Sequence, residues 1–195
     1  MTDGFIETWF PTSIYIANNL LSDKLPTYEN RIKEILKDAA ISRTTFLDVN
    51  SSWGDEKTNL AHDSIFLDLN KAIKEHVYEF AIALGYDNKF ISTLKLDQMW
   101  ANISKENDSL YPHTHASSVF SGAFYIKSYE GSKIYFHNKI DSVMPIPKYH
   151  NNLNLKNCTY DCLPGRLLLF KSDLLHSTPR QTHGEKIVIS FNVTT

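Results

Sequence analysis

The sequence has 195 residues, 42% of them hydrophobic and 12% aromatic, and a formal net charge of −2. That is enough apolar material for the core of one domain, and the charge leaves no global basic field of the kind that attracts nucleic acid. No apolar run approaches the roughly 18 residues of a membrane span. The opening MTDGFIETWF also lacks a basic region followed by an apolar one, so neither a membrane partner nor a secretory signal is expected. Cys158 and Cys162 are the two cysteines, too few for a disulfide framework, which points to a reducing cytoplasmic setting. A Cys-x3-Cys pair can bind a metal, but with no second pair the plainer reading is two free thiols in a loop.

Phe10–Ile16 reads as a short opening strand. Residues 22–40 predict a helix capped by Ser22, with Ile32, Ile35, Leu36 and Ala39 at helical spacing. Thr44–His62, which contains Ser52-Trp53-Gly54-Asp55, reads as loop with room for a short strand. Residues 64–84 predict a second helix capped by Asp63 or Ser64 and ended by Gly85. Its stripe of Phe66, Leu69, Ile73, Val77, Phe80, Ala81 and Leu84 is the pattern of core packing rather than of a cofactor groove.

From Ser92 the period changes. Leu94–Ile103 alternates, with Leu96, Gln98, Trp100 and Asn102 on one face. Val119–Lys127 and Lys133–His137 are strand-like, the latter behind the turn Glu130-Gly131-Ser132. Residues 140–163 form a long irregular stretch with Pro145 and Pro147. Arg166–Phe170 follows the turn Pro164-Gly165, and Lys186–Val193 closes the chain. Short strands with long connections indicate a closed or double-sheet β-structure, with the two helices on one outer face.

The last strand has two distinct faces. Ile187, Ile189, Phe191 and Val193 point one way; Lys186, Val188, Ser190 and Asn192 point the other. Either the second face meets solvent, or the apolar face packs on the helices and the polar face lines a cavity. Nearby in sequence, Pro112-His113-Thr114-His115 precedes one strand, and His176 follows another, 63 residues after His113. Such histidines can meet if the two strands are neighbours. Fe(II) is commonly held by two His and one carboxylate, with open positions left for co-substrate and oxygen. Lys186 lies ten residues beyond His176, on the polar face. If buried, its ammonium requires an anionic partner, because desolvating it unpaired is costly. The alternative is a solvent-facing lysine at the start of a strand.

Pro112-His-Thr-His115, Ser121-Gly-Ala-Phe-Tyr-Ile126, Pro164-Gly-Arg-Leu-Leu-Leu-Phe170, His176 and Lys186-Ile-Val-Ile-Ser-Phe-Asn192 together resemble the 2-oxoglutarate/Fe(II) oxygenases of the prolyl-hydroxylase-like superfamily. The nearest likeness is to a subgroup common in marine bacteriophages and bacteria. Trp9-Phe-Pro-Thr-Ser13 and Trp100-Ala-Asn102 also fit that subgroup. The likeness is strong from residue 98 onward and loose in the helical half. It implies a mainly β fold, a double-stranded β-helix or jelly roll with helices packed on the major sheet. It further implies one oxygenase domain over 1–195, with 1–90 as helical flank and opening strands and 91–195 as jelly-roll core with the metal site. The implied cofactors are Fe(II) and 2-oxoglutarate, and the implied reaction is hydroxylation of a prolyl or other amino-acid residue, or of a free amino acid, with succinate and CO2 as co-products.

By that resemblance His113 is the proximal metal ligand, His176 the distal one, and Lys186 the basic residue for the C5 carboxylate of 2-oxoglutarate. Tyr125 matches a tyrosine that reaches the same carboxylate, and Asn102 a polar co-substrate contact; Asn192 and Ser190 are weaker candidates. The family's motif places a carboxylate where this sequence has His115. His115 then completes a three-His site, or stands off and leaves two histidines and water, or yields to an acid such as Asp108; the first reading is preferred. Trp100, Phe124 and Phe170 are candidates for a dry cavity wall. Tyr149, His150, Asn151 and Asn152, with the Thr44–His62 loop, are candidates for substrate recognition. The expected partner is a small-molecule or peptide substrate, without nucleic acid or membrane, in the cytoplasm (the host's, if phage-encoded), and the oligomeric state is left open with a dimer as one option. The rival classes are a non-catalytic jelly-roll metal module and a three-His zinc hydrolase, which has no use for a cavity lysine.

Overall fold

The structure, a computed structural model, describes residues 4–38, 47–54, 56–138 and 145–195. In chain order its elements are β1 (Ile14–Ala17), α1 (Leu25–Asp38), β2 (Leu47–Asp48), β3 (Asn50–Ser51), α2 (Leu67–Ala83), α3 (Asn88–Ile91), β4 (Lys95–Ser104), β5 (Ser109–His113), β6 (Phe120–Lys127), β7 (Lys133–His137), β8 (Asn157–Asp161), β9 (Leu167–Lys171), β10 (His176–Thr178) and β11 (Lys186–Thr194). They form two antiparallel sheets, one of six strands in the order β1-β9-β6-β11-β4-β3 and one of five in the order β2-β5-β10-β7-β8. This is the expected mainly β architecture with flanking helices, a jelly roll.

Residue alternation explains the layering. Ile187, Ile189, Phe191 and Val193 of β11 join Phe120, Phe124 and Ile126 of β6, Leu167 and Leu169 of β9, and Met99, Ala101 and Ile103 of β4 in one apolar layer. Tyr28, Ile32 and Leu36 of α1 and Leu69, Ile73, Val77, Phe80 and Ala81 of α2 close on that layer from outside. The opposite face of the same strands packs between the sheets, where Ala123, Tyr125, Leu168, Phe170 and Val188 meet Ile134 and Phe136 of β7. The two-sided reading of the last strand therefore holds, with its polar face turned inward.

Several local expectations are corrected. Leu96 does not share a face with Gln98, Trp100 and Asn102. The pairing of β11 with β4 slips between Asn192 and Val193, so Val193 opposes Leu96 and the extra residue turns Leu96 toward the helices. Ser22 does not cap α1; it begins a 3₁₀ turn, Ser22–Lys24, that follows Leu21 in left-handed geometry and runs into the helix. Pro26 occupies the first turn of α1, where its missing N–H removes no helical bond. Asp63 is the cap of the second helical segment, accepting from Ile65 N at 2.9 Å, but the segment opens as a 3₁₀ turn before α2. Ala39 lies outside the described residues. The stretch 140–163 is not wholly irregular, because Asn157–Asp161 forms β8 on the edge beside β7. Cys158 therefore sits in a strand rather than a loop, and Cys162, just beyond it, is buried; both are free.

Gly122 marks a close approach between β6 and its neighbours. A Cβ there would collide with the Phe191 ring and the Leu168 carbonyl oxygen. Gly122→Ala is therefore expected to lower the unfolding free energy by about 1–3 kcal/mol, the usual cost of overpacking. Urea denaturation of the two proteins side by side measures it, and an unchanged midpoint would count against this packing.

Candidate metal centre

Strands β5 and β10 are hydrogen-bonded neighbours, and their register sets His176 directly opposite His113. Neither strand was recognised from sequence: β5 contains Pro112, and β10 has three residues, too few for a period to show. His115 lies two residues past the end of β5, its backbone N–H donating to Ser172 O at 2.9 Å. The ring centroids of His113 and His176 are 4.3 Å apart, and that of His115 is 5.1 Å from each. One ring nitrogen from each of the three falls within 4.8 Å of the others.

His115 Nε2 and His176 Nε2 are 3.3 Å apart. Two imidazole nitrogens bound about 2.1 Å from one metal at roughly 90–110° lie about 3.0–3.4 Å apart, so the spacing suits a shared ion. His113 Nδ1 bonds the carbonyl of Tyr111 at 2.7 Å, and His176 Nδ1 that of Leu174 at 2.9 Å. Each bond is best made by an Nδ1–H donor, which leaves Nε2 as a lone-pair ligand. Burial, aided by the His113 charge, drives His115 down to about 4 and His176 to about 3. The two rings thus stay neutral and ligand-competent in mildly acidic solution. Asp108 is not part of the cluster; its carboxylate accepts from Lys105 N at 2.7 Å.

A cavity of about 560 Å³ opens beside the histidines. Lys186, Tyr125, Asn102 and Ser190 line it, together with Trp100, Phe170 and Trp53. Lys186 is 1% exposed. Among the described residues no acid lines the cavity with it, and burial pushes its ammonium below the ordinary lysine value, offset in part by Cys162. Tyr125 is equally buried, its phenol raised by burial and by the neighbouring Cys162. Asn102 Nδ2 donates to Ser190 Oγ at 3.1 Å, while its Oδ1 has no partner among the described residues. Ser104, paired across the strands with Lys186, is buried with an unpartnered hydroxyl. Ser104 continues the strand parity of Gln98, Trp100 and Asn102 but is not among the residues lining the cavity.

Other expected site residues stand elsewhere. Asn192 is buried away from the cavity lining; its Oδ1 accepts from Ser121 Oγ at 2.8 Å and its Nδ2 donates to Gln98 Oε1 at 3.2 Å. Phe124 faces the helices, so of the three candidate wall residues only Trp100 and Phe170 line the cavity. Tyr149, His150, Asn151 and Asn152 form an exposed turn that does not reach the cavity, whereas Trp53 of the Thr44–His62 segment does. Cys158 and Cys162 bring no further ligand to the metal cluster. No helix among the described residues is long and apolar enough to cross a membrane.

Three converging imidazoles beside a cavity that also holds a buried lysine make a site able to take one metal ion and an acidic ligand. Residues 98–192, spanning β4 to β11, match the family described as "Putative 2OG-Fe(II) oxygenase". Over that stretch the jelly roll is accordingly that of a 2-oxoglutarate- and Fe(II)-dependent oxygenase. Among solved structures, a Pseudomonas putida prolyl-4-hydroxylase shares the fold at TM-score 0.63 and 12% identity, over 94% of each chain. The viral collagen prolyl hydroxylase of Paramecium Bursaria Chlorella virus-1, in complex with 2OG, aligns at TM-score 0.60 and 12% identity, over 92% of this chain and 94% of that one. HygX of Streptomyces hygroscopicus, with nickel and 2-oxoglutarate bound, aligns at TM-score 0.61 and 13% identity, over 94% of this chain and 83% of that one. No curated protein matches the sequence.

The low values at His115 and His176 carry a stability consequence. An unfolded histidine titrates near 6.5, so between that pH and about 3–4 the unfolded metal-free chain binds protons that the folded one refuses. Stability of the metal-free protein is thus expected to fall as pH drops through this window. Denaturant midpoints at pH 7 and 4.5 read the slope, and His176→Gln should flatten it; an equal slope in both proteins would contradict the assignment.

Proposed function

We propose that residues 1–195 form one oxygenase unit in which His113, His115 and His176 hold Fe(II), and Lys186 with Tyr125 holds the distal carboxylate of 2-oxoglutarate. The observation that carries this reading is Lys186, a buried ammonium with no acid among the residues lining its cavity. An unpaired charge in that position is costly, and a carboxylate arriving with the co-substrate removes the cost. Tyr125 adds a phenol donor to the same cavity wall. Exchanging the oxygen and nitrogen of the Asn102 amide would let Ser190 donate to it and turn the NH2 into the cavity as a further donor to an anion.

When bound, Fe(II) with 2-oxoglutarate and O2 supplies the oxidation that places one oxygen atom in a substrate C–H bond, leaving succinate and CO2. This chain's residues bind, orient and exclude water. His113 and His176 are fixed by backbone carbonyls, Lys186 anchors the acid, and Trp100 and Phe170 form a dry wall beside the imidazoles. The substrate reading is a prolyl or other amino-acid residue within a peptide. A free amino acid would bring both an ammonium and a carboxylate. With Lys186 engaged, the described cavity wall offers no charged side chain to either. Trp53, half-exposed and lining the cavity, suits an uncharged ring or side chain.

Anaerobic Fe(II) and 2-oxoglutarate are expected to give a visible metal-to-ligand charge-transfer band, and oxygen should then release succinate. Loss of one partner from a buried ion pair costs about 3–5 kcal/mol, so Lys186→Met should weaken 2-oxoglutarate binding roughly a hundredfold or more, with metal affinity kept. Normal binding by that variant would remove the lysine from the site. Succinate release should rise with N-acetylated, C-terminally amidated amino acids, proline first, and stay at its basal rate with free L-proline; the reverse order would favour a free amino acid.

A further inference from the structure

We propose that a buried hydrogen-bonded chain, Asn192–Ser121–Ser172, is the positioning device for His115; the inference rests on the reading of His115 as a metal ligand. Each of the other two imidazoles is fixed twice, by a strand and by a ring hydrogen bond: Nδ1 of His113 to Tyr111 O and Nδ1 of His176 to Leu174 O. His115 has neither support. It lies beyond the end of β5, in a connection that includes Ser117 at φ 69°, and no backbone carbonyl or acid holds its Nδ1 among the described residues. Its fixed anchor is the backbone bond from His115 N to Ser172 O at 2.9 Å.

Ser172 is therefore the residue on which the third imidazole depends, and its side chain is locked from behind. Its hydroxyl is 2.8 Å from Ser121 Oγ, and Ser121 donates to Asn192 Oδ1 at 2.8 Å. Asn192 Nδ2 continues to Gln98 Oε1 at 3.2 Å. Ser121 and Ser172 are each 1% exposed and Asn192 is 6% exposed. The Ser172 N–H, donating to Val119 O at 3.1 Å, ties the same residue to the connection that carries His115. Gln98, Asn192 and Ser121 stand side by side on β4, β11 and β6. Gln98 is the exposed end of this row, whereas Ser121 and Asn192 are buried, and two buried polar side chains are otherwise an unfavourable choice for a sandwich interior. The chain transmits the rigid register of the major sheet to a ligand outside any strand, the role that outer partners of metal-binding histidines usually perform through the ring.

Co(II) binding to the metal-free protein, measured by competition with a chromogenic chelator, tests this through a double-mutant cycle. S121A should lower Co(II) affinity about 10–100-fold and alter the visible Co(II) spectrum, and S121T, which keeps the hydroxyl, should restore both. In the H115Q background, S121A should cost nothing further, because the residue it positions is gone. Equal losses in both backgrounds, or no loss with S121A, would overturn the positioning role. If S121A does not fold, S172A breaks the same link and is read the same way. If H115Q binds Co(II) as tightly as the native protein, the three-His reading falls and takes the inference with it.

Discussion

The alternation along β11 is the constraint on which the rest of the molecule depends. This strand lies between β4 and β6, so its two faces set the character of both layers. Its apolar face is covered by α1 and α2, and burying one large aliphatic or aromatic side chain contributes about 1.5–3 kcal/mol. With four such residues on one strand, a slip of one position would cost several times any single hydrogen bond of the ladder. That fixed register places Lys186 and Ser190 inside the cavity, on strand neighbours of Asn102 and Tyr125. The helices therefore contribute to the site without touching it, by deciding which face of β11 turns inward.

A second consequence follows from electrostatics. The cavity wall carries an ammonium and three imidazoles but no carboxylate among the described residues. Stability alone would favour an apolar residue in place of Lys186, since among the described residues its desolvation is offset only in part, by Cys162. The charge is tolerable because the surrounding core supplies enough apolar burial to carry it. Outside the barrel, Lys127 and Lys33 each reach Glu29 and Glu185, closing α1 against β6 and the residue that precedes Lys186. These ion pairs are partly exposed and individually weak. Their contribution is geometric: they hold the start of β11 where the lysine turns inward.

The legible and illegible parts of the molecule divide on physical lines. The stripe of α2 and the alternation of β11 could be read directly, because a one-sided core imposes a period on any element long enough to display it. β10 and β5 could not. Their pairing is short, interrupted by Pro112, and stabilised by neighbours distant in sequence rather than by local preference. The bulge that turns Leu96 outward was equally hidden, since one extra residue leaves local composition unchanged while reversing the face beyond it. At the site, histidine spacing and Lys186 pointed to the metal and its acid. Asn192 shows the limit of that approach: its inward parity was right, but parity does not say which polar neighbour a side chain will satisfy, and Ser121 and Gln98 claim it.

In the proposed three-His site, a histidine where the family's motif places a carboxylate fits the charge of the whole cavity. A ligand carboxylate would cancel one unit of a divalent ion's charge; a neutral imidazole cancels none. His115 is held neutral by burial, and the wall around it contains no acid to take the carboxylate's part. With a divalent ion bound as proposed, the site would keep one more positive charge than a two-His, one-carboxylate centre, in a pocket whose other cation is Lys186. Such a field favours a doubly negative chelating acid and disfavours cations, and it sharpens with the low dielectric of the indole and phenyl wall. The cost is positional. An aspartate can be fixed through its second oxygen, whereas no carbonyl or acid holds the His115 Nδ1 among the described residues, so its placement falls to its backbone bond with Ser172.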